Sequence, residues 1–168
     1  MEIAMQPNLL IIYDNPPSYR ERSFWSSPKE YEDNRLWLIR EAHKIISFPA
    51  LKERVANIYE LFVYAFEDIQ VFSHPASYFV SDHPAYIKKP LCGLIDGISP
   101  DIMVVVGRKV VNTLVERCCK GLGNAVQVVW APFPFRRECL HRYELQDVSS
   151  KIEDALRFYT NAHYAGSI

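Results

Sequence analysis

Several patterns that mark common protein classes are missing from this sequence of 168 residues. It contains neither a Gly-x-Gly-x-x-Gly segment nor a Walker segment, so the usual phosphate cradles of nucleotide-binding proteins are absent. Its apolar runs, such as Leu9 to Ile12, are far shorter than the roughly 20 residues of a membrane span. Met1 to Gln6 lack the basic region of a secretion signal. We therefore expect a cytoplasmic protein with no membrane partner.

Metal-ligand spacings are missing as well. The cysteines form no Cys-x-x-Cys pair, and the two adjacent ones would point about 100° apart on a helix, which argues against zinc and iron–sulfur sites. The histidines show no ligand spacing either. We expect reduced thiols, and we assign neither a metal nor a cofactor to the chain. The residues concerned are Cys92, Cys118, Cys119, Cys139, His83, His141 and His163.

Excess positive charge is also absent, because 19 Lys and Arg stand against 20 Asp and Glu, a net charge of −1. A protein of this charge binds nucleic acid only through a local basic patch. Each basic cluster in the chain can equally be a solvated face, so its place in the fold matters. The clusters are Arg20 with Arg22, Arg108 with Lys109, and Arg136 with Arg137, Arg142 following nearby.

Continuous apolar runs predict strands that are buried on both faces. Leu9–Ile12, Ile102–Val106 and Val126–Trp130 are short, rich in β-branched residues and followed by turn residues. Ile69–Phe72 predicts a fourth strand. Helical spacing of apolar residues predicts helices at Glu32–Ile46, Leu51–Phe66, Arg108–Cys119 and Val148–Tyr159.

Strands that alternate with helices predict the fold class. We expect residues 1–168 to form one α/β domain, a three-layer α/β/α sandwich around a central, mainly parallel four-stranded sheet. In such sheets the loops converge at the carboxyl ends of the strands. Tyr13–Trp25, Gly107–Lys109 and Ala131–Arg137 would meet there, bringing basic residues and aromatic pairs to one edge. This mixture suits a nucleic-acid strand, and a small-molecule pocket is the alternative.

Four segments that follow one another along the chain each carry distinctive turn or aromatic residues. They are Leu10–Pro17, a strand ending in Asp-Asn-Pro-Pro; Phe24–Trp37, with Phe-Trp and Asn-Arg-Leu-Trp; Pro100–Lys109, a strand ending in Gly-Arg-Lys; and Val129–Pro134, with Trp-Ala-Pro-Phe-Pro. In this order they resemble the motifs of the mismatch-specific uracil/thymine DNA glycosylases, a branch of the uracil-DNA glycosylase superfamily. The resemblance implies a monofunctional glycosylase, which flips a base out of DNA and hydrolyses its N-glycosidic bond.

The turn after the first strand carries the implied chemistry. Departure of the base leaves an oxocarbenium-like sugar, which water attacks from the other face. Asn15 occupies the place of the family's water-positioning asparagine and is held rigidly by Pro16. Asp14 is a second candidate, as a base or as an electrostatic partner of the cation. An Asx turn that only ends the strand is the alternative.

The resemblance also implies contacts to the base and to the DNA backbone. An aromatic side chain stacks the flipped base, a loop fills the gap that the base leaves, and a helix N-terminus binds phosphate. For the aromatic residues, the alternative role is packing in the core. For His74, the alternative is a structural role in its loop. The base-binding candidates are Tyr13, Pro16, Phe24, Trp25, His74 and Phe133, and the DNA-binding candidates are Ser18, Arg108, Lys109, Phe135, Arg136 and Arg137.

Departures from the family pattern change the expected substrate. Tyr13 and Pro17 replace glycines that let the backbone approach a small pyrimidine, and Phe133 replaces a polar residue that stabilises the leaving base. We therefore expect a modified or mismatched pyrimidine rather than plain uracil, such as a modified base of phage DNA in host defence. The expected partner is duplex or single-stranded DNA, bound by a cytoplasmic monomer that would be associated with the nucleoid if the source is a bacterium. The alternatives are a catalytically weak DNA- or nucleotide-binding module of this fold, a flavin-binding module and a scaffold.

Overall fold

A six-stranded sheet forms the centre of the computed structural model, which describes residues 5–14, 44, 50–64, 69–73, 85–87, 91–121, 126–132 and 142–165. The strands and helices of these ranges alternate along the second half of the chain. In chain order they are β1 (Asn8–Asp14), α1 (Leu51–Arg54), β2 (Asn57–Tyr64), β3 (Ile69–Ser73), β4 (Ala85–Ile87), α2 (Leu91–Ile98), β5 (Ile102–Val106), α3 (Lys109–Cys119), β6 (Gln127–Ala131) and α4 (Arg142–Ala165).

The sheet has the strand order β4-β3-β2-β1-β5-β6. β2, β1, β5 and β6 run parallel to one another, whereas β3 is antiparallel to β2 and β4 is antiparallel to β3. The predicted α/β class and a sheet with four mutually parallel strands are therefore confirmed. β2 is one of these four, whereas the strand predicted at Ile69–Phe72 is antiparallel. The two antiparallel strands extend the sheet on the β2 side.

Both faces of the sheet are covered, because successive residues of β1 enter different cores. Leu9, Ile11 and Tyr13 pack with β5, β6 and the buried stripe of α4, whereas Leu10 and Ile12 pack with α2 and α3. Every residue from Leu9 to Tyr13 is completely buried. A strand with helices on both sides has no solvent face, which explains why its hydrophobicity is continuous rather than alternating. The predicted three-layer arrangement follows from this packing.

The helix predicted at Leu51–Phe66 is wrong. Of its described residues, Leu51–Arg54 alone are helical; Val55 is extended, and Asn57–Tyr64 forms β2. The segment is rich in β-branched and aromatic residues, which favour strands over helices. Its apolar residues fit helical spacing as well, because a central strand is buried on both faces and imposes no period of its own.

The other predictions vary in outcome. Strands at Leu9–Ile12, Ile102–Val106 and Val126–Trp130 are confirmed within a residue or two, and Ile69–Phe72 forms β3, although as an antiparallel strand. The helices predicted at Arg108–Cys119 and Val148–Tyr159 correspond to α3 and to the longer α4, whereas β4 and α2 were not predicted. Of the helix predicted at Glu32–Ile46, only Lys44 lies within the described residues, and it is helical.

The expectation that all thiols are reduced is wrong for two of the four cysteines. Cys92 of α2 and Cys118 of α3 form a disulfide across 26 residues of sequence. Spacing alone does not indicate this pairing, because it depends on α2 and α3 lying side by side. Cys119 keeps a free thiol, and burial, together with the charge of Glu116, raises its pKa above the ordinary value.

Candidate active site at the carboxyl edge of the sheet

The direction in which the chain winds across the sheet reverses beside β1. β1 lies between β2 on one side and β5 on the other, so the chain goes first to one side of β1 and later to the other. This topology predicts a crevice outside the carboxyl ends of β1 and β5. Open α/β sheets bind their ligands at this topological switch point.

The strand register aligns the points at which three loops leave the carboxyl edge of the sheet. Tyr13 pairs with Val106 of β5, and Val106 pairs with Ala131 of β6. Asp14 therefore ends β1 beside Gly107, and Pro132 follows one strand further along. The three segments whose meeting the sequence predicts accordingly leave the sheet side by side.

Gly107 allows α3 to begin close to the sheet. A Cβ atom at this position would lie 2.9 Å from Asn112 Oδ1 and 3.0 Å from Val111 Cγ1, so a larger residue would push the first turn of the helix away. Asn112 Oδ1 is itself buried there and has no hydrogen-bond partner among the described residues. The amino end of α3 thus lies directly at the switch point.

The amino end of α3 carries positive charge. Arg108 is its N-cap residue, with an extended backbone, and the exposed Lys109 is its first residue. No acidic residue occupies the first turn. Since free N–H groups and the helix dipole already make this end positive, a cation here is unfavourable for the helix unless an anion binds beside it.

A buried tyrosine and glutamate lie beneath the Asp14 end of β1. Tyr13 has no exposed surface, and its hydroxyl donates a hydrogen bond of 2.9 Å to Glu60 Oε1 on β2. Glu60 is itself only 2% exposed. Sequence reasoning missed Glu60 because its segment was assigned to a helix. The available signal was an acidic residue inside a run of strand-forming residues.

The predicted site residues fall into two groups. Tyr13, Arg108 and Lys109 are described, and for Asp14 the structure gives the backbone at the end of β1. A role of Tyr13 in base binding stays a prediction, as do phosphate contacts of Arg108 and Lys109. The remaining candidates lie outside the described residues: Asn15, Pro16, Ser18, Phe24, Trp25, His74, Phe133, Phe135, Arg136 and Arg137.

The opposite, amino edge of the sheet is closed by a polar network. Asp101 Oδ2 accepts a hydrogen bond of 2.8 Å from the backbone N–H of Asn8, and the backbone N–H of Asp101 donates to the carbonyl of Asn8 at 2.9 Å. Asn57 Nδ2 donates to Asn8 Oδ1 at 3.0 Å. These bonds connect the starts of β1, β2 and β5, so this network stabilises the fold.

A scan against protein-family models, a search of curated proteins and a search of solved structures each found no match to this chain. Within the described ranges, no three His, Cys, Asp or Glu side chains are placed to hold a metal ion. In that same part of the chain, no helix has the length and apolar character needed to cross a membrane.

Proposed function

We propose that this chain is a monofunctional DNA glycosylase of the uracil-DNA glycosylase superfamily. It would flip a target base out of DNA and hydrolyse its N-glycosidic bond, acting as a cytoplasmic monomer without a metal or cofactor. The observation that carries the proposal is the pairing of Tyr13 with Val106 at the switch point. It sets Asp14, the first residue of Asp14-Asn15-Pro16-Pro17, next to Gly107, the first residue of Gly107-Arg108-Lys109. Both sequence segments resemble family motifs.

The chemistry assigned to the first turn needs positioning rather than a nucleophile. As the base leaves, positive charge develops on the sugar, and a water held on the other face attacks it. In the proposal Asn15 holds that water, and the carboxylate of Asp14 stabilises the cation or accepts a proton. A turn that starts from a completely buried strand is a suitable support, because rigid elements place side chains more accurately than mobile loops.

The amino end of α3 supports the DNA-binding part of the proposal. Lys109 is a cation at the positive end of a helix, an arrangement that costs stability unless an anion neutralises it. A DNA phosphate beside the flipped nucleotide is such an anion. Binding there would place the sugar next to the turn that carries Asn15.

The proposed substrate is a modified or mismatched pyrimidine rather than plain uracil. Tyr13 stands at the position of a family glycine, and Phe133 at that of a polar residue that stabilises the leaving base. A base whose substituents make it a better leaving group depends less on that donor. A modified base of phage DNA, with a better leaving group or with extra contacts in place of the missing donor, is the proposed example, and it would suit a role in host defence.

Formation of abasic sites tests the proposal. The protein is incubated with duplexes and single strands that contain uracil, mismatched thymine or 5-hydroxymethylcytosine, and abasic sites are detected by alkaline cleavage. We expect cleavage of at least one modified or mismatched substrate and a loss of about 100-fold or more in Asn15→Ala. Asn161→Ala, the same substitution on the exposed surface of α4, is the control and should retain full activity. Absence of abasic sites from every substrate would overturn the proposal.

A catalytically weak module that binds DNA or a nucleotide is the second candidate. The switch-point crevice favours it to the same degree, since mononucleotides also bind there in open α/β sheets. Fluorescence anisotropy with the same oligonucleotides separates the two. Binding that depends on Lys109 without any abasic sites would support the second candidate.

A further inference from the structure

Glu60 is the one charged side chain that is buried among the described residues. Removing a carboxyl group from water is costly unless its oxygens are hydrogen-bonded, and apolar residues of similar volume are often tolerated at such positions. Fold stability alone is therefore a poor reason for a glutamate in the middle of β2. Its hydrogen bond with Tyr13 indicates a more specific role.

The strand register shows which way the phenol of Tyr13 lies. Tyr13 pairs directly with Phe62, whereas Glu60 lies two residues earlier on β2 and on the same face of the sheet. Two residues of a strand span about 6–7 Å. To reach Glu60, the tyrosine side chain must therefore lean towards the amino ends of the strands, away from the edge where Asp14 and Gly107 end.

The geometry points to Glu60 as a positioning residue, which holds the Tyr13 ring against the sheet and keeps it out of the switch-point crevice. This inference rests on the proposed function, because the space kept free is that of the flipped base. The restraint also explains how Tyr13 can occupy the position at which the uracil-DNA glycosylase family has a glycine. The ring does not occupy the space that a glycine would leave, because Glu60 holds it back.

The hydroxyl is the group that fixes this orientation. An aromatic side chain on a strand commonly adopts either of two χ1 rotamers, at about 180° or −60°. A hydrogen bond to a buried acceptor favours the rotamer that makes it, because the other rotamer gives up this bond inside the core. Either Tyr13→Phe or Glu60→Leu removes this selection while keeping the approximate volume.

Chemical modification tests the restraint independently of any catalysis. Tetranitromethane nitrates accessible phenols, and peptide mass spectrometry assigns the modified site. Tyr13 should resist nitration in the wild type and in Glu60→Gln, which keeps an acceptor oxygen. In Glu60→Leu the loss of about one hydrogen bond should raise nitration of Tyr13 about tenfold, while the buried Tyr159 on α4 keeps its wild-type level. Equal nitration of Tyr13 in the wild type and Glu60→Leu would overturn the inference, even if the protein is a glycosylase.

Kinetics test the consequence for the substrate. A ring released into the crevice competes with the base for space, so Tyr13→Phe and Glu60→Leu should raise KM about tenfold and change kcat by less than about twofold. Glu60→Gln should retain a low KM, and Tyr159→Phe controls for loss of a tyrosine hydroxyl elsewhere in the fold. A drop in melting temperature with unchanged KM would reduce Glu60 to a structural residue, and a drop in kcat alone would also contradict positioning. A wild type that cleaves no substrate would overturn the proposed function, while nitration still decides whether Glu60 restrains the ring.

Discussion

Cys92 and Cys118 join α2 to α3 on the face of the sheet that lies opposite α4. The link matters because α2 is a weak helix of eight residues with two glycines, Gly93 and Gly97. Nothing lies within 4 Å of a Cβ atom built on either glycine, so neither is required by packing. Each lowers the helix propensity by about 1 kcal/mol relative to alanine. α2 therefore depends on its few buried contacts and on the disulfide.

Reduction of this disulfide should destabilise the protein. Closing a loop of this length contributes about 3 kcal/mol through the entropy of the unfolded chain. We expect that loss when urea unfolding is compared with and without a phosphine reductant, and a similar loss in Cys92→Ser without reductant. Cys119→Ser, which leaves the disulfide intact, should unfold like the wild type. Identical unfolding curves with and without reductant would show that the two thiols are not linked in solution.

Two glycine substitutions should have opposite effects. Gly107→Ala places a methyl group about 3 Å from Val111 and Asn112 and should destabilise the fold by about 1–3 kcal/mol. Gly93→Ala places the same group in open space on a helix and should stabilise by up to about 1 kcal/mol. Thermal unfolding of the two variants measures both. An unchanged Gly107→Ala would mean that α3 does not begin as close to β5 as the structure shows.

The ion pair between α1 and α4 should make part of the stability depend on acid pH. Arg54 donates to both carboxylate oxygens of Glu153, once at 2.9 Å, and these hydrogen bonds lower the pKa of Glu153. The folded state thus favours the carboxylate, so the contribution is complete above the ordinary glutamate pKa of about 4.3. It is lost as the pH falls through the lower folded-state value.

Comparison of the wild type with Glu153→Gln isolates this contribution. Both side chains are about one-third exposed, so we expect a difference of only about 0.5–1 kcal/mol at pH 6, which shrinks as the pH falls below the ordinary glutamate pKa of about 4.3. Asp147→Asn, which removes the more exposed pair with Lys151, should show a smaller difference than Glu153→Gln at pH 6. A Glu153→Gln difference that does not change with pH would contradict the assigned cause.

The parts of the fold that could be predicted are those where local pattern and burial agree. β1, β5 and β6 have apolar runs rich in β-branched residues, and turn residues follow each of them, so a strand is the assignment that fits. β2 could not be assigned in the same way, because its aromatic and aliphatic residues match helical spacing as well as a strand. That error also concealed Glu60, whose role depends on a partner 47 positions away in sequence. The pairing of Cys92 with Cys118 depends likewise on packing between helices.

The same limit applies to the candidate site. The sequence placed the three segments at strand ends, but only the strand order shows that the winding reverses between β1 and β5. Short strands of similar composition give no indication of their neighbours in the sheet. The position of the crevice is therefore a property of the topology rather than of any single motif.

Lys109 offers a test in which binding and stability should change in opposite directions. Lys109→Ala removes a cation from the positive end of α3, which should raise stability by about 0.3–1 kcal/mol. The same change should weaken DNA binding and reduce the slope of log K against log salt by about 1, because one phosphate contact is lost. Lys120→Ala, at the carboxyl end of the same helix, is the matched control: the protein should become slightly less stable and bind DNA with the wild-type salt dependence. If both variants bind DNA alike, the amino end of α3 does not contact phosphate; if Lys109→Ala is also the less stable of the two, the lysine has a structural role at this edge.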